Sequence, residues 1–86
     1  MITIELYEVA RRLAGVAEVE LEAGTLRAAL LALAVRFPAL EPDVVQGGAL
    51  APQWRAGLDG RTWIEDADHA LAPGDRIVLV SAIAGG

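Results

Sequence analysis

Few residues in this chain are equipped for covalent chemistry. Its 86 residues contain no cysteine and one histidine, His69, so thiolate nucleophiles, thiolate metal sites and disulfides are excluded. A metal site needs several converging ligands, and a single imidazole following the acidic stretch Glu65-Asp66-Ala67-Asp68 reads as part of a solvated loop. All seven basic residues are arginine, which leaves no lysine amine for a Schiff base or an isopeptide bond. Glu18, Glu20 and Glu22 alternate with period two, the pattern of the wet face of a strand; attraction of a cation or a basic partner is the alternative. The sequence also carries the pair Gly85-Gly86. Residues without side chains permit close approach and extreme backbone angles.

A folded body must present that pair. Eighty-six residues suffice for one domain, 1–86, and a chain of this size buries only about 60 to 65% of its unfolded surface. With 55% apolar and 22% charged residues the composition is that of a globular chain rather than a disordered one. The net charge of -5 argues against electrostatic capture of nucleic acid and fits a basic protein partner better. No apolar run approaches the ~20 residues that span a bilayer. Glu5, Glu8, Glu18 and Glu20 stand where a signal peptide would need a basic start and an apolar stretch. The expectation is a soluble, cytoplasmic protein that binds neither nucleic acid nor membrane.

The elements follow from periodicity. Met1 to Glu8 alternates as a half-buried strand, with Ile2, Ile4 and Leu6 on one face and Thr3, Glu5 and Tyr7 on the other. Val16 to Glu22 alternates again, and antiparallel pairing of the two is the economical arrangement. Thr25 is a helix N-cap. Leu26, Leu30, Leu33 and Phe37 then form one apolar stripe, closed by Pro38. From Ala39 to Pro52 no period survives and the segment reads as an irregular loop. Trp54–Leu58 and Arg61–Ile64 form a hairpin about Asp59-Gly60. The Pro73-Gly74-Asp75 turn feeds Arg76–Ser81, whose apolar residues of both parities predict a central strand. One helix covers one sheet face, an α+β arrangement. The other face, with Tyr7, Val78 and Val80, stays uncovered, as partner surfaces do. Trp54 and Trp63 flank the hairpin as edges of the core, Trp63 being the better interface candidate.

In this order and spacing the chain resembles the MoaD- and ThiS-type sulfur carriers, prokaryotic relatives of ubiquitin. The residues that carry the resemblance are the Met1-to-Tyr7 strand, Arg12-Leu13-Ala14-Gly15, Gly24-Thr25-Leu26, Phe37-Pro38, Leu58-Asp59-Gly60, the run Leu71 to Leu79, and Gly85-Gly86. The resemblance implies a β-grasp fold, a mixed sheet of four to five strands on one main helix. It also implies a cycle in which an E1-like adenylating enzyme uses ATP to activate the Gly86 carboxylate. Sulfur from a persulfide donor replaces AMP, and the thiocarboxylate delivers it to a sulfur-accepting enzyme.

On that resemblance Gly86, with Gly85, is the reacting end of a non-catalytic carrier subunit that holds no cofactor or metal of its own. Tyr7, Trp63, Val78, Val80, Ser81, Ala82, Ile83 and Ala84 are the partner-binding residues. The implied acceptor is the large subunit of molybdopterin synthase or an equivalent enzyme. Many small subunits of that synthase have Pro-Pro where Ser81-Ala82 stand and Val-Asn-Gly where Leu58-Asp59-Gly60 stand, whereas the Ala82-to-Gly86 end is similar to carriers serving cysteine synthesis. Cysteine, thiamine and tRNA thiolation, and a modifier or interaction module without sulfur transfer, remain as alternatives. An extended segment from Ser81 to Gly86 reaches roughly 17 to 20 Å, and a flexible tail 82–86 is expected to enter a partner's active site.

Overall fold

The computed structural model describes residues 1–81. Strands β1 (Ile2–Leu6), β2 (Glu18–Leu21), β5 (Trp54–Leu58), β6 (Thr62–Ile64) and β7 (Arg76–Ser81) form one sheet in the order β2-β1-β7-β5-β6. Helix α2 (Leu26–Arg36) lies on one of its faces. Between α2 and β5, β3 (Val45–Gln46) and β4 (Ala49–Leu50) make a separate two-stranded ribbon. β1 pairs antiparallel with β2 and parallel with β7, so the first and last strands are neighbours at the centre of the sheet. This is the ubiquitin-like β-grasp fold, as the sequence implied.

Alternation along the strands decides what is buried. Ile2, Ile4, Leu6, Val19, Leu21, Ile77 and Leu79 all face α2 and are buried, together with Leu26, Ala29, Leu30 and Leu33 of the helix. Fully burying one such Ile or Leu side chain contributes about 1.5–3 kcal/mol, which is how a small domain without disulfides holds together. Trp54 and Ala56 on β5 and Ile64 on β6 extend the same core.

The N-terminus of α2 is fully capped. The Thr25 hydroxyl accepts from the Ala28 amide at 3.1 Å, and the Leu26 and Arg27 amides donate to the carbonyls of His69 and Ala67. The acidic loop thus supplies the partners that a helix start lacks. Arg27 fastens it further through Asp68, 3.1 Å away. His69 is therefore a backbone support of the helix.

Two segments differ from the sequence expectation. Beyond Leu6 the chain is helical rather than extended: α1 (Glu8–Ala14) starts at Tyr7 and ends on Gly15, whose left-handed backbone (φ 79°) lets its amide reach the Arg11 carbonyl. Seven residues are too few to display a helical period, but Glu8 in the first turn and Arg11 and Arg12 in the last suit the helix dipole. The stretch read as an irregular loop is also structured. A 3-10 turn (Pro38–Leu40) leads into the β3–β4 ribbon, and Leu40, Val44, Val45 and Ala51 are buried. These apolar side chains close the open end of the core, and two-residue strands are too short to alternate visibly. No helix among the described residues is long and apolar enough to cross a membrane.

Candidate functional site

The sheet face away from α2 is uncovered, and register determines what lies on it. β7 contributes Arg76, Val78 and Val80. Across from Val78 lie Glu5 on β1 and Gly57 on β5; across from Val80 lies Arg55. Gly57 is paired in turn with Trp63 on β6. A Cβ built on Gly57 would lie 3.6 Å from the Trp63 ring, so the indole covers the glycine. The Arg55 guanidinium stacks on that indole, 5.3 Å from its centroid. Trp63 is nevertheless 53% exposed, against 6% for Trp54, so only Trp54 is an ordinary core residue.

The structure therefore brings Trp63, Val78 and Val80 onto one face. Tyr7 follows directly on Leu6, which is paired with Leu79, and stands at the end of the same face. Ser81 differs: it has the parity of Ile77 and Leu79 and is paired with Trp54, at the root of the tail. Ala82, Ile83, Ala84, Gly85 and Gly86 lie outside the described residues.

Sequence reasoning overlooked a polar cluster on this face. The Tyr7 hydroxyl donates to one Glu5 carboxylate oxygen at 2.7 Å. Arg76 donates to the other oxygen of Glu5 and to Glu18 at 3.2 Å. The signal was available: Glu5, Glu18 and Arg76 share a face once β2-β1-β7 is the strand order, but that order is not written in any local pattern. The apolar strip is thus bounded on the β2 side by a held arginine and on the β6 side by an indole under a guanidinium.

The cluster sets ionisation. Tyr7's hydroxyl and the Arg76 guanidinium hold the Glu5 carboxyl below its ordinary 4.5. Donation to Glu5 raises Tyr7 above its ordinary 10.0. Folded Glu5 titrates below unfolded Glu5, so its stabilisation is complete above the ordinary carboxylate value and is lost as pH falls through the lowered one. For Tyr7 the stabilisation is complete below 10.0 and is lost as pH rises through the raised value. Tyr7 is the sole tyrosine, so tyrosinate absorbance reads it alone. The midpoint is expected above 10.0 in the parent, and Glu5→Gln should bring it back toward that value. An unchanged midpoint in the variant would dissolve the cluster.

Comparisons with known proteins bear on the family and the fold. The chain matches no curated protein. Among solved structures it is similar to SAMP1, small archaeal modifier protein 1, of Haloferax volcanii, with 26% identity and a TM-score of 0.83 over 99% of this chain and 98% of that one. A chain of the Amycolatopsis orientalis BexX/CysO complex superposes with a TM-score of 0.84 at 17% identity, covering 100% of both. A Pyrococcus furiosus chain described as molybdopterin converting factor, subunit 1, does so with 0.71 at 22% identity over 93% and 94%. The likenesses under 25% identity speak for the fold alone. The ThiS family model matches residues 4–86, a span that takes in nearly all of the body, the exposed face and Gly85-Gly86, and the chain belongs to this ThiS family of ubiquitin-like sulfur carriers.

Proposed function

We propose that the chain carries sulfur as a thiocarboxylate on Gly86. In this reading an adenylating enzyme transfers AMP from ATP to the carboxylate, with pyrophosphate leaving. The terminal sulfur of a persulfide donor then attacks the acyl-adenylate, AMP leaves and an acyl disulfide forms. A thiol of a partner cleaves its S–S bond, becoming a disulfide, and the thiocarboxylate released serves molybdopterin synthesis. The observation that carries the reading is the family match over residues 4–86, a span that includes Gly85-Gly86. Supporting it, β7 is anchored at the sheet centre by Ile77 and Leu79, both buried, so the segment after Ser81 starts from a fixed point beside the exposed face. The carrier supplies only the Gly86 carboxylate, which attacks the α-phosphorus; the other acids, bases and nucleophiles belong to its partners.

The test is mass spectrometry of the protein after incubation with an adenylating enzyme, ATP and a persulfide donor. One oxygen should be exchanged for one sulfur, located on the C-terminal peptide. Supplying the charged protein to a molybdopterin synthase large subunit with its precursor should then consume the thiocarboxylate. Charging without consumption there, but with consumption by a cysteine-, thiamine- or tRNA-modifying acceptor, would move the carrier to another pathway.

A second reading is favoured by one observation, the 26% identity to SAMP1. In it the activated Gly86 carbonyl ends as an amide on another protein. Covalent adducts with other proteins, in place of a released thiocarboxylate, would select this reading.

A further inference from the structure

Beside Val78 the exposed face carries a hollow of about 190 Å³, lined by Gly57, Gly60, Arg61, Thr62, Trp63 and Val78. Its floor exists because residue 57 has no side chain. Gly57 is buried under the indole, and any larger residue would place atoms between strand and ring. Its surroundings are cationic. Arg55 stacks on Trp63, Arg61 lines the hollow, and neither guanidinium has a carboxylate partner among the described residues. That is notable in a chain with twelve acidic residues and a net charge of -5. The opposite margin, with Glu5, Glu18 and Glu20, is acidic, and there Arg76 is already engaged by two carboxylates. The two margins differ: carboxylates hold an arginine toward β2, whereas toward β6 Arg55 and Arg61 have no ion pair among the described residues, although Glu65 lines a neighbouring hollow with Arg55 and Trp63.

We propose that this hollow is a specificity socket which receives one apolar side chain of the protein partner, flanked on the partner by a carboxylate that pairs with Arg55 and Arg61. The proposal rests on the carrier reading for the exposed face and adds the chemistry of what docks there. An apolar side chain fits because the hollow's walls are an indole, a valine and a glycine backbone. An acidic flank fits because two unpaired guanidinium groups would otherwise be desolvated on docking without compensation. The difference between the margins also sets the partner's orientation, since a partner turned around would put its carboxylate against Glu18 and Glu20.

The experiment measures binding of the carrier to an activating enzyme by calorimetry without ATP, and charging separately with ATP. Gly57→Ala fills the floor at an ordinary contact distance of 3.6 Å from the ring and without positive-φ strain. Its melting temperature should be unchanged or raised, while its Kd rises about tenfold. The double variant Arg55→Gln/Arg61→Gln should weaken binding by a similar factor and flatten its dependence on salt. Parent-like Kd in both variants overturns the socket, whether or not charging occurs. Loss of binding in both supports it, even if Gly86 is never charged, because the binding step does not involve the carboxylate's reaction.

Discussion

Deleting Gly85-Gly86 should abolish charging while leaving the denaturant midpoint and its slope as in the parent, with a change in stability below about 1 kcal/mol. Charging needs the carboxylate at the α-phosphate of ATP, and removing two residues withdraws it by roughly 7 Å of extended chain. Stability should not follow, because among the described residues the buried core runs from Ile2 to Leu79 and the sequence after Ala82 has no pattern that would bury it. Appending a residue after Gly86 should stop charging as completely as deletion, and Gly86→Ala should slow it, since a methyl group crowds the carbon that must meet the phosphate. An extended variant that charges at the parent rate would refute the carrier reading. A destabilised deletion would instead show that the tail packs on the body.

Val80→Asp should weaken binding to both the activating enzyme and the sulfur acceptor about 100-fold or more, with the fold still two-state. Val80 is half-buried on the exposed face, paired with Arg55, and its side chain contributes nothing to the core beneath α2. The fold therefore tolerates a carboxylate there, whereas a docked partner must desolvate it. It would also repel the acidic flank inferred above. Tyr7→Ala should have a smaller effect in the same direction, because the hydroxyl is already committed to Glu5 and only the ring of this 40% exposed residue is available to a partner. Both affinities can be read by calorimetry. Parent-like values for both enzymes in both variants would remove this face from the mechanism.

What the sequence revealed and what it hid divide along a physical line. Alternation in β1 and β7 assigned every core-facing residue correctly, because period two is a local property and one sheet face is covered. The apolar stripe of α2 and its Thr25 cap were legible for the same reason. Glycine after aspartate at 59–60 announced its turn, and both residues take positive φ there, 52° and 69°. The β3–β4 ribbon and α1 were hidden because each is shorter than the window in which a period can appear. The Glu5–Arg76–Glu18 cluster and the Trp63–Gly57 hollow were hidden for a different reason. Each joins residues from strands that are neighbours only after the sheet is assembled, so no spacing along the chain encodes them. Nothing in the sequence around Gly57 signals that Trp63 lies across it.

The parallel pairing of β1 with β7 also governs when the body can close. Among the described strands β1 stands earliest in the sequence and β7 latest, yet the two are neighbours, and Ile77 and Leu79 of β7 are buried against α2. A chain still emerging from the ribosome therefore has an N-terminal strand with an unsatisfied edge and a core missing its middle, and such non-local closure is slow to form. The segment that completes the core is the same one that leads into Gly85-Gly86. A body without β7 has neither a closed sheet centre nor the part of the exposed face that Val78 and Val80 supply, so core and face are completed by the same strand.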